Sequence, residues 1–302
     1  MIKTAIILLI ICLSTAISAA GPDMTGELST DAPPSAASEN ESPSGRDADP
    51  QNRYKNLDDL FNLYQPYLGA VSAHEPIYFL VGTEPEYSKF QISLKYRFMN
   101  PEGSWSKAYP WLQGFHLAYT QTSFWDLNSE SKAFEDTSYK PEFFYRSSNI
   151  DLIGHRVTNF FLQGGYQHES NGRGGIDSRS TDMVYIEPIF IFYQESSQLG
   201  LGVSPRIWAY LANEDKDLID YRGYFNLGLA FGKADSWVFH SDVYWAKKGP
   251  SVILDATYPL REILFNNLDI YLQVEYANCL AESLLHFRER TQALRIGIAI
   301  IR

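Results

Sequence analysis

The stretch FQISLKYRF, residues 90–98, alternates without a break between apolar and polar side chains. Successive side chains of a β-strand point to opposite sides, so this period of two predicts a strand with one apolar and one polar face. Residues 268–276, LDIYLQVEY, repeat the pattern. Similar segments occupy residues 76–83, 114–125, 139–148, 157–170, 182–193, 199–211, 221–232, 236–246, 250–260 and 291–301. Together they predict about twelve strands of ~10 residues, the number and length of a transmembrane barrel.

The composition favours a membrane barrel over other folds. The 20 Tyr, 18 Phe and 6 Trp suit the aromatic girdles of such a barrel. A mean hydropathy of -0.24 excludes a bundle of membrane helices. We therefore predict an all-β fold, a transmembrane antiparallel β-barrel of about 12 strands, with a soluble β-sandwich as the alternative. Inside a narrow lumen we expect the charged side chains to pair with one another: Lys95, Arg97, Arg206, Arg222, Asp242, Asp255 and Glu275.

The residues before the strands divide into a leader and a linker. Residues 1–20 hold one early lysine, an apolar run and the small residues Ser18-Ala19-Ala20, which predict a cleavable signal peptide. Residues 21–53 are rich in Ser, Pro, Ala, Asp and Glu and predict a disordered acidic linker. We expect residues 54–302 to form the barrel domain, with residues 54–67 as a short amphipathic segment that closes one end of the barrel. The net charge of -11 argues against nucleic acid as a partner.

The sequence GYQHESNGRGGIDSRSTDMVY, residues 165–185, holds the candidate catalytic residues. His168 and Ser170 stand two apart at the end of a predicted strand, so their side chains share a face. The glycine-rich segment that follows breaks the strand, and Asp182 lies where the next alternation begins. A serine hydroxyl becomes a nucleophile when a histidine takes its proton and an acid orients that histidine. Asp177 is the rival for the acid's position.

Counting strands predicts where this group lies and which way it points. If both termini face the periplasm, the fifth strand (157–170) ends at the cell surface with His168 and Ser170. Both residues share a face with Leu162 and Tyr166, and Asp182 shares a face with the apolar residues that follow it. The apolar face of a transmembrane strand contacts lipid, so we expect the triad to face lipid at the outer rim. Polar groups in that position are costly and usually functional.

Several motifs resemble those of the outer membrane phospholipase A family. They are H-x-S-N-G-R from His168 to Arg173, then Ser178-Arg179-Ser180, and an acid fourteen residues after His168. The stretches LAYTQTSFWDL (117–127), F-x-x-T-x-Y-x-P (134–141) and ESLL (282–285) are similar to the family as well. The resemblance covers roughly Tyr54 to Arg302. The family's best-known members carry Asn at the position of Asp182.

The resemblance implies an activity and its cofactor. The expected reaction is calcium-dependent hydrolysis of phospholipid acyl esters (phospholipase A1/A2) in the outer leaflet of the bacterial outer membrane. Ser170 would be the nucleophile, His168 the base and Asp182 the orienting acid. Calcium would be held by Ser178, by the carbonyl oxygen of Arg173 and by Ser131 of a second subunit, in a homodimer that forms when the enzyme is active. Such sparsely charged oxygen ligands predict a weak site.

Gln121 gives the sequence a separate argument for a dimer. It shares the outward face of Leu117 and Tyr119, so we expect its amide to lack partners in a monomer, at a cost of about 1–3 kcal/mol. Pairing with its symmetry mate would remove that cost, and the family has Gln at this interface position. Two other functions remain open: a catalytically silent narrow pore or structural outer-membrane barrel, and a soluble secreted esterase.

Overall fold

A computed structural model describes residues 69–84, 87–127, 134–151, 159–213, 217–262 and 268–302. The predicted signal peptide (1–20), the acidic linker (21–53) and the amphipathic segment (54–67) lie outside these residues, as does Ser131.

Thirteen strands and two short helices make up the described part of the chain. The strands are β1 (Val71–Ala73), β2 (Ile77–Glu84), β3 (Tyr87–Arg97), β4 (Phe115–Asp126), β5 (Phe134–Arg146), β6 (Asn159–Ser170), β7 (Ser180–Gln194), β8 (Leu199–Asn213), β9 (Phe225–Gly232), β10 (Val238–Ala246), β11 (Gly249–Pro259), β12 (Tyr271–Leu280) and β13 (Arg290–Ile301). The helices are α1 (Ser104–Ala108) and α2 (Leu218–Arg222), and 3₁₀ turns cover Pro110–Gly114, Gly175–Asp177 and Leu260–Glu262.

The strands form one closed antiparallel sheet. From β2 to β13 each strand pairs with its neighbours in the chain, and β13 pairs with β2 to close the ring. The short β1 also pairs with β3, so β1 and β2 are two parts of the first barrel strand. The result is a twelve-stranded antiparallel barrel, which confirms the predicted fold class. None of the helices in the described ranges is long and apolar enough to cross a membrane.

The two faces of the wall differ as the alternation predicts. On β3, Ile92, Leu94 and Tyr96 are exposed on the outside, while Lys89 and Gln91 are buried inside. The other strands follow the same rule, and large apolar side chains cover the outer surface. An apolar outer band around a polar interior is the pattern of a barrel that spans a membrane.

Buried ion pairs fill the barrel lumen. Lys89 Nζ lies 2.7 Å from Glu275, Arg295 lies 2.5 Å from the same carboxylate, and Arg222 lies 2.5 Å from Glu169. The expectation that seven lumen residues would pair with one another was wrong. Instead Lys95, Arg97 and Asp255 bond to Ala73 O, Gly69 O and Gln273. The stagger of the strands decides which side chains meet across a barrel, and alternation does not reveal it.

Two strands start four or more residues away from the predicted position. The strand expected over residues 221–232 begins at Phe225, because Leu218–Arg222 forms the helix α2 and Gly223 ends it with φ of 72°. The strand expected over 139–148 begins at Phe134 instead, and Phe134, Asp136, Thr137 and Ser138 are paired with β4.

The connections β4–β5, β6–β7 and β12–β13 meet at one end of the barrel, which we call the outer end. Residues 281–289, named here the outer plug, fold over its mouth. Leu284 and Phe287 of the plug are buried against Leu218. Below them, Glu282 pairs with Arg295 at 2.7 Å. The motif ESLL therefore contributes Leu284 to this apolar cluster and Glu282 to the ion pairs of the lumen.

Candidate active site

His168 and Asp182 form a hydrogen-bonded pair on the outer face of the wall. They lie directly opposite each other on β6 and β7, and His168 Nδ1 lies 2.8 Å from Asp182 Oδ1. The burial of β6 alternates, with Gln167 and Glu169 buried in the lumen and Leu162 and Tyr166 exposed outside. His168 shares the parity of the exposed residues. The sequence-predicted base and acid are therefore brought together on the side expected to face lipid.

Ser170 ends β6 on the same outward parity, two residues beyond His168. Its cross-strand neighbours are Ser180 on β7 and Tyr139 on β5. The structure records no hydrogen bond from its hydroxyl within the ranges it describes, so the bond from Ser170 to His168 stays a prediction. Such bonds are often long in ligand-free enzymes and shorten when substrate binds.

Tyr166 is a third member of this group that the sequence did not reveal. Its hydroxyl donates to Asp182 Oδ1 at 2.5 Å, the same oxygen that faces His168. Because Tyr166 lies opposite Val184, its ring reaches Asp182 along the diagonal of the strand pair. Aromatic side chains can reach diagonal neighbours across a strand pair. The positions of Tyr166 and Asp182 on neighbouring strands could therefore have predicted this contact from the sequence.

Asn171 holds the loop that follows Ser170 in a fixed shape. Its buried side chain accepts from the N–H groups of Arg173 and Arg179 and donates to the carbonyl of Asp177. Its own N–H donates to the carbonyl of Arg179. Gly172, at φ of 67°, lies between two residues whose N–H groups are bonded, and its own N–H has no hydrogen bond recorded within the described ranges. Of the three N–H groups directly after Ser170, at residues 171–173, the one at Gly172 is thus left to bind an oxyanion.

The predicted calcium ligands lie in this loop where they are described. Arg173 and Ser178 flank the 3₁₀ turn, and the carbonyl oxygen of Arg173 accepts no hydrogen bond from the rest of the described chain. A free carbonyl oxygen and a serine hydroxyl fit a weakly held calcium ion. Ser131 lies outside the described residues. Elsewhere in the described ranges, no three His, Cys, Asp or Glu side chains are grouped so as to hold a metal ion.

The side chain of Arg173 ties this loop to β5. It donates to the carbonyl of Glu135 at 2.5 Å and lies 3.8 Å from the carboxylate of Asp136. Asp136 in turn accepts from the N–H of Leu285 in the outer plug at 2.9 Å. The loop, the start of β5 and the outer plug are therefore joined through one buried carboxylate.

The rival acid Asp177 and the other histidines do not join the group. Asp177 contributes its backbone carbonyl to Asn171, whereas it is Asp182 that contacts His168. Each further histidine that the structure describes has a partner elsewhere: Glu142 for His74, Gly114 O for His116, Asp242 for His240 and Glu135 for His286. His155 lies outside the described residues.

Gln121 faces outward as expected, but the expectation that its amide lacks partners in one chain was wrong. Its oxygen accepts from Tyr119 at 3.1 Å, and its nitrogen donates to Ser123 at 3.2 Å. Both neighbours lie two residues away on β4, because residues at this spacing share a face of a strand. One N–H of the amide is left for a partner, so the desolvation argument for a dimer is weaker than predicted.

Comparison with known proteins covers the same part of the chain as the barrel strands. The sequence profile of the phospholipase A1 family matches residues 72–300. The chain belongs to the phospholipase A1 family. Among relatives in this family, phospholipase A1 of Escherichia coli (strain K12) is 27% identical over 189 residues, 61% of each protein. Phospholipase A1 of Proteus vulgaris is 26% identical over 191 residues, also 61% of each. The chain thus spans about three-fifths of the length of the curated relatives it matches.

Solved structures of phospholipases share the barrel. Outer membrane phospholipase A from Escherichia coli superposes with a TM-score of 0.60 at 20% identity, covering 77% of this chain and 91% of that one. The Salmonella typhi outer membrane phospholipase dimer with bound calcium gives 0.60 at 19% identity, covering 77% and 92%. These matches agree with the twelve-stranded antiparallel barrel described above.

Proposed function

We propose that the chain hydrolyses acyl ester bonds of phospholipids in the outer leaflet of the outer membrane, with calcium, by a Ser170-His168-Asp182 triad. The observation that carries the proposal is the 2.8 Å contact between His168 Nδ1 and Asp182 on the outward face, with Ser170 on the same face. A nucleophile on the outside of the wall meets lipid esters, whereas one in the lumen would not. Membership of the phospholipase A1 family supports the same substrate.

The geometry supports a separate role for each nitrogen of His168. Nδ1 faces the carboxylate, so it carries the proton that the carboxylate accepts, and Nε2 is free to act on Ser170. Ser170 Oγ attacks the acyl carbonyl while Nε2 takes its proton. The protonated imidazole then gives that proton to the leaving lysophospholipid oxygen, which leaves an acyl-serine. A water deprotonated by the same nitrogen releases the fatty acid and restores the hydroxyl.

The negative oxygen formed in each attack needs a donor. The Gly172 N–H, two residues after the nucleophile, supplies it in this proposal. Calcium, when bound by Ser178, the carbonyl oxygen of Arg173 and Ser131 of a second subunit, would add positive charge beside that oxygen. The resulting requirement for a homodimer is supported by the Salmonella typhi phospholipase dimer with bound calcium.

The second candidate, a catalytically silent narrow pore or structural barrel, receives less support. Paired charges such as Lys89 with Glu275 occupy the lumen, and Glu282 of the outer plug joins them at 3.2 Å. The candidate catalytic residues also face away from the lumen.

Hydrolysis of a phospholipid in mixed detergent micelles by the full chain tests the proposal. We expect calcium-dependent fatty-acid release that falls at least ~10³-fold in Ser170→Ala and in His168→Ala, since triad members act as one unit. Both variants should keep the heat-modifiable gel mobility of a folded barrel. Turnover by Ser170→Ala at the wild-type rate would end the serine-hydrolase proposal.

A chelator and a cross-linker test the dimeric calcium site separately. Calcium should raise the cross-linked dimer fraction, and Ser131→Ala should weaken the calcium dependence. Activity that persists in a chelator, or in a chain that stays monomeric, would remove calcium and the second subunit while leaving the triad in place.

A further inference from the structure

The carboxylate of Asp182 receives both of its hydrogen bonds on one oxygen. His168 Nδ1 and the Tyr166 hydroxyl lie 2.8 and 2.5 Å from Oδ1. Within the described ranges, Oδ2 accepts no hydrogen bond. The direct cross-strand partner of Asp182 on β8 is Ala212, whose side chain has no donor. Tyr166 is thus the single described side chain besides His168 that donates to this acid.

The position of the pair makes the second donor important. An ionised carboxylate is acceptor-only and needs several donors, and bonds to charged groups contribute more than bonds between neutral groups. Asp182 lies on the outward face, where lipid replaces water. With His168 alone, the carboxylate would be free to rotate about its last torsion angle and turn Oδ1 away from Nδ1. The Tyr166 bond opposes this rotation.

We propose that Tyr166 is a positioning residue that holds the Asp182 carboxylate aimed at His168 Nδ1. The inference rests on the proposed function, since it assigns Tyr166 a role in the same triad. It also connects Tyr166 to the acid found in this chain. An amide at position 182 would still accept this bond through its oxygen, whereas an alanine removes the acceptor altogether. The roles of Tyr166 and Asp182 are therefore coupled.

A double-mutant cycle tests the coupling in the full chain. Hydrolysis of a phospholipid with calcium is measured for wild type, Tyr166→Phe, Asp182→Asn and Tyr166→Phe/Asp182→Asn, and the cycle is repeated with Asp182→Ala. The matched control is Tyr276→Phe. Tyr276 also faces outward and is 41% exposed against 40% for Tyr166, and its hydroxyl makes no hydrogen bond within the described ranges. Heat-modifiable mobility shows that each variant is folded.

We expect Tyr166→Phe to lower kcat about 3–10-fold with KM within about twofold, because the substrate-binding surface is unchanged. In the Asp182→Ala background, where the acceptor is gone, the same substitution should change kcat by less than about twofold. In the Asp182→Asn background part of the loss should remain, because the amide oxygen still accepts from the hydroxyl. Tyr276→Phe should match wild type.

Three results would overturn the inference: no loss in Tyr166→Phe, an equal loss in all backgrounds, or a loss confined to KM. Ser170→Ala, assayed beside the cycle, separates a failure of the positioning role from a failure of the proposed function. If Ser170→Ala is inactive and Tyr166→Phe is silent, the positioning role fails and the triad stands. If Ser170→Ala is active, the proposed function itself fails.

Discussion

Replacing Gly172 by Ala tests whether the loop after Ser170 supplies the oxyanion donor. Gly172 has a φ of 67°, and a Cβ added there would lie 2.8 Å from Cε2 of Tyr139. Left-handed backbone costs a residue with a side chain about 1–2 kcal/mol. Relieving a contact this short adds about 1–3 kcal/mol. The exposed loop can shed this strain more easily than the barrel wall can, so we expect the loop to shift and the Gly172 N–H to move.

A displaced donor lowers the rate without unfolding the barrel. Removing one oxyanion donor costs up to about 10²–10³-fold in kcat, so a donor displaced but still present should cost about 10–100-fold. The measurement is kcat for hydrolysis of a phospholipid in mixed micelles with saturating calcium. Heat-modifiable mobility of Gly172→Ala should match wild type.

Two neighbouring glycines provide matched controls. Gly175 has nearly the same φ, 68°, but an added Cβ meets nothing within 4 Å. Gly174 has neither the left-handed backbone nor a neighbour within 4 Å. Gly175→Ala therefore isolates the backbone cost, and we expect it to lower kcat by less than about threefold. If Gly172→Ala lowers kcat no more than Gly175→Ala does, the contact between the added Cβ and Tyr139 does not displace an oxyanion donor, and the reasoning is wrong.

Three further predictions follow from the contacts of the site and the lumen. Asp182→Ala should lower kcat about tenfold or more, whereas Asp182→Asn should keep substantial activity and Asp177→Asn should stay within about twofold of wild type. Steady-state kinetics measure these rates. A large loss in Asp177→Asn together with no loss in Asp182→Ala would show that Asp177 is the acid. Arg295→Met should lower the free energy of unfolding by about 3–5 kcal/mol, because the buried carboxylates of Glu275 and Glu282 each lose a partner. Urea unfolding in lipid vesicles measures this against Arg288→Met, whose exposed pair with Asp217 contributes less than about 1 kcal/mol; equal losses would contradict it. Asp136→Ala should speed tryptic cleavage at Arg288 in the outer plug, because the N–H of Leu285 loses its acceptor. In Asp136→Asn the amide oxygen still accepts from this N–H, so cleavage should stay slow. Unchanged digestion of Asp136→Ala would show that other contacts hold the plug.

The sequence predicted the strands of the wall and the side on which their side chains lie, for a simple reason. Side chains alternate between the faces of a strand, so the parity of Leu162 and Tyr166 was enough to place His168 on the outside. The facing of His168 and Asp182 followed from strands that are neighbours in the chain. Neither prediction depended on knowing how distant strands meet.

The features that the sequence did not predict depend on how side chains from different strands and loops meet in the closed barrel. The partners of Lys95 and Asp255 follow from the stagger of the strands, which no local pattern encodes. The start of β5 went unrecognised because Glu135 and Asp136 interrupt the apolar alternation, and both instead bind other loops at the outer end. The role of the Tyr166 hydroxyl was hidden because an outward tyrosine also satisfies the apolar pattern.

The division between the two faces of β6 has a consequence for how this strand tolerates mutation. Gln163, Gln167 and Glu169 point into the packed lumen, whereas Tyr166, His168 and Ser170 point outward. Substituting every position of β6 in turn and scoring folded yield and turnover separately should give two interleaved profiles, each with a period of two. Odd positions would fail mainly in yield, and even positions near the end of the strand would fail mainly in turnover. Neighbouring residues in one strand would thus experience different selection, so the catalytic edge of the barrel could vary without a matching change in its interior.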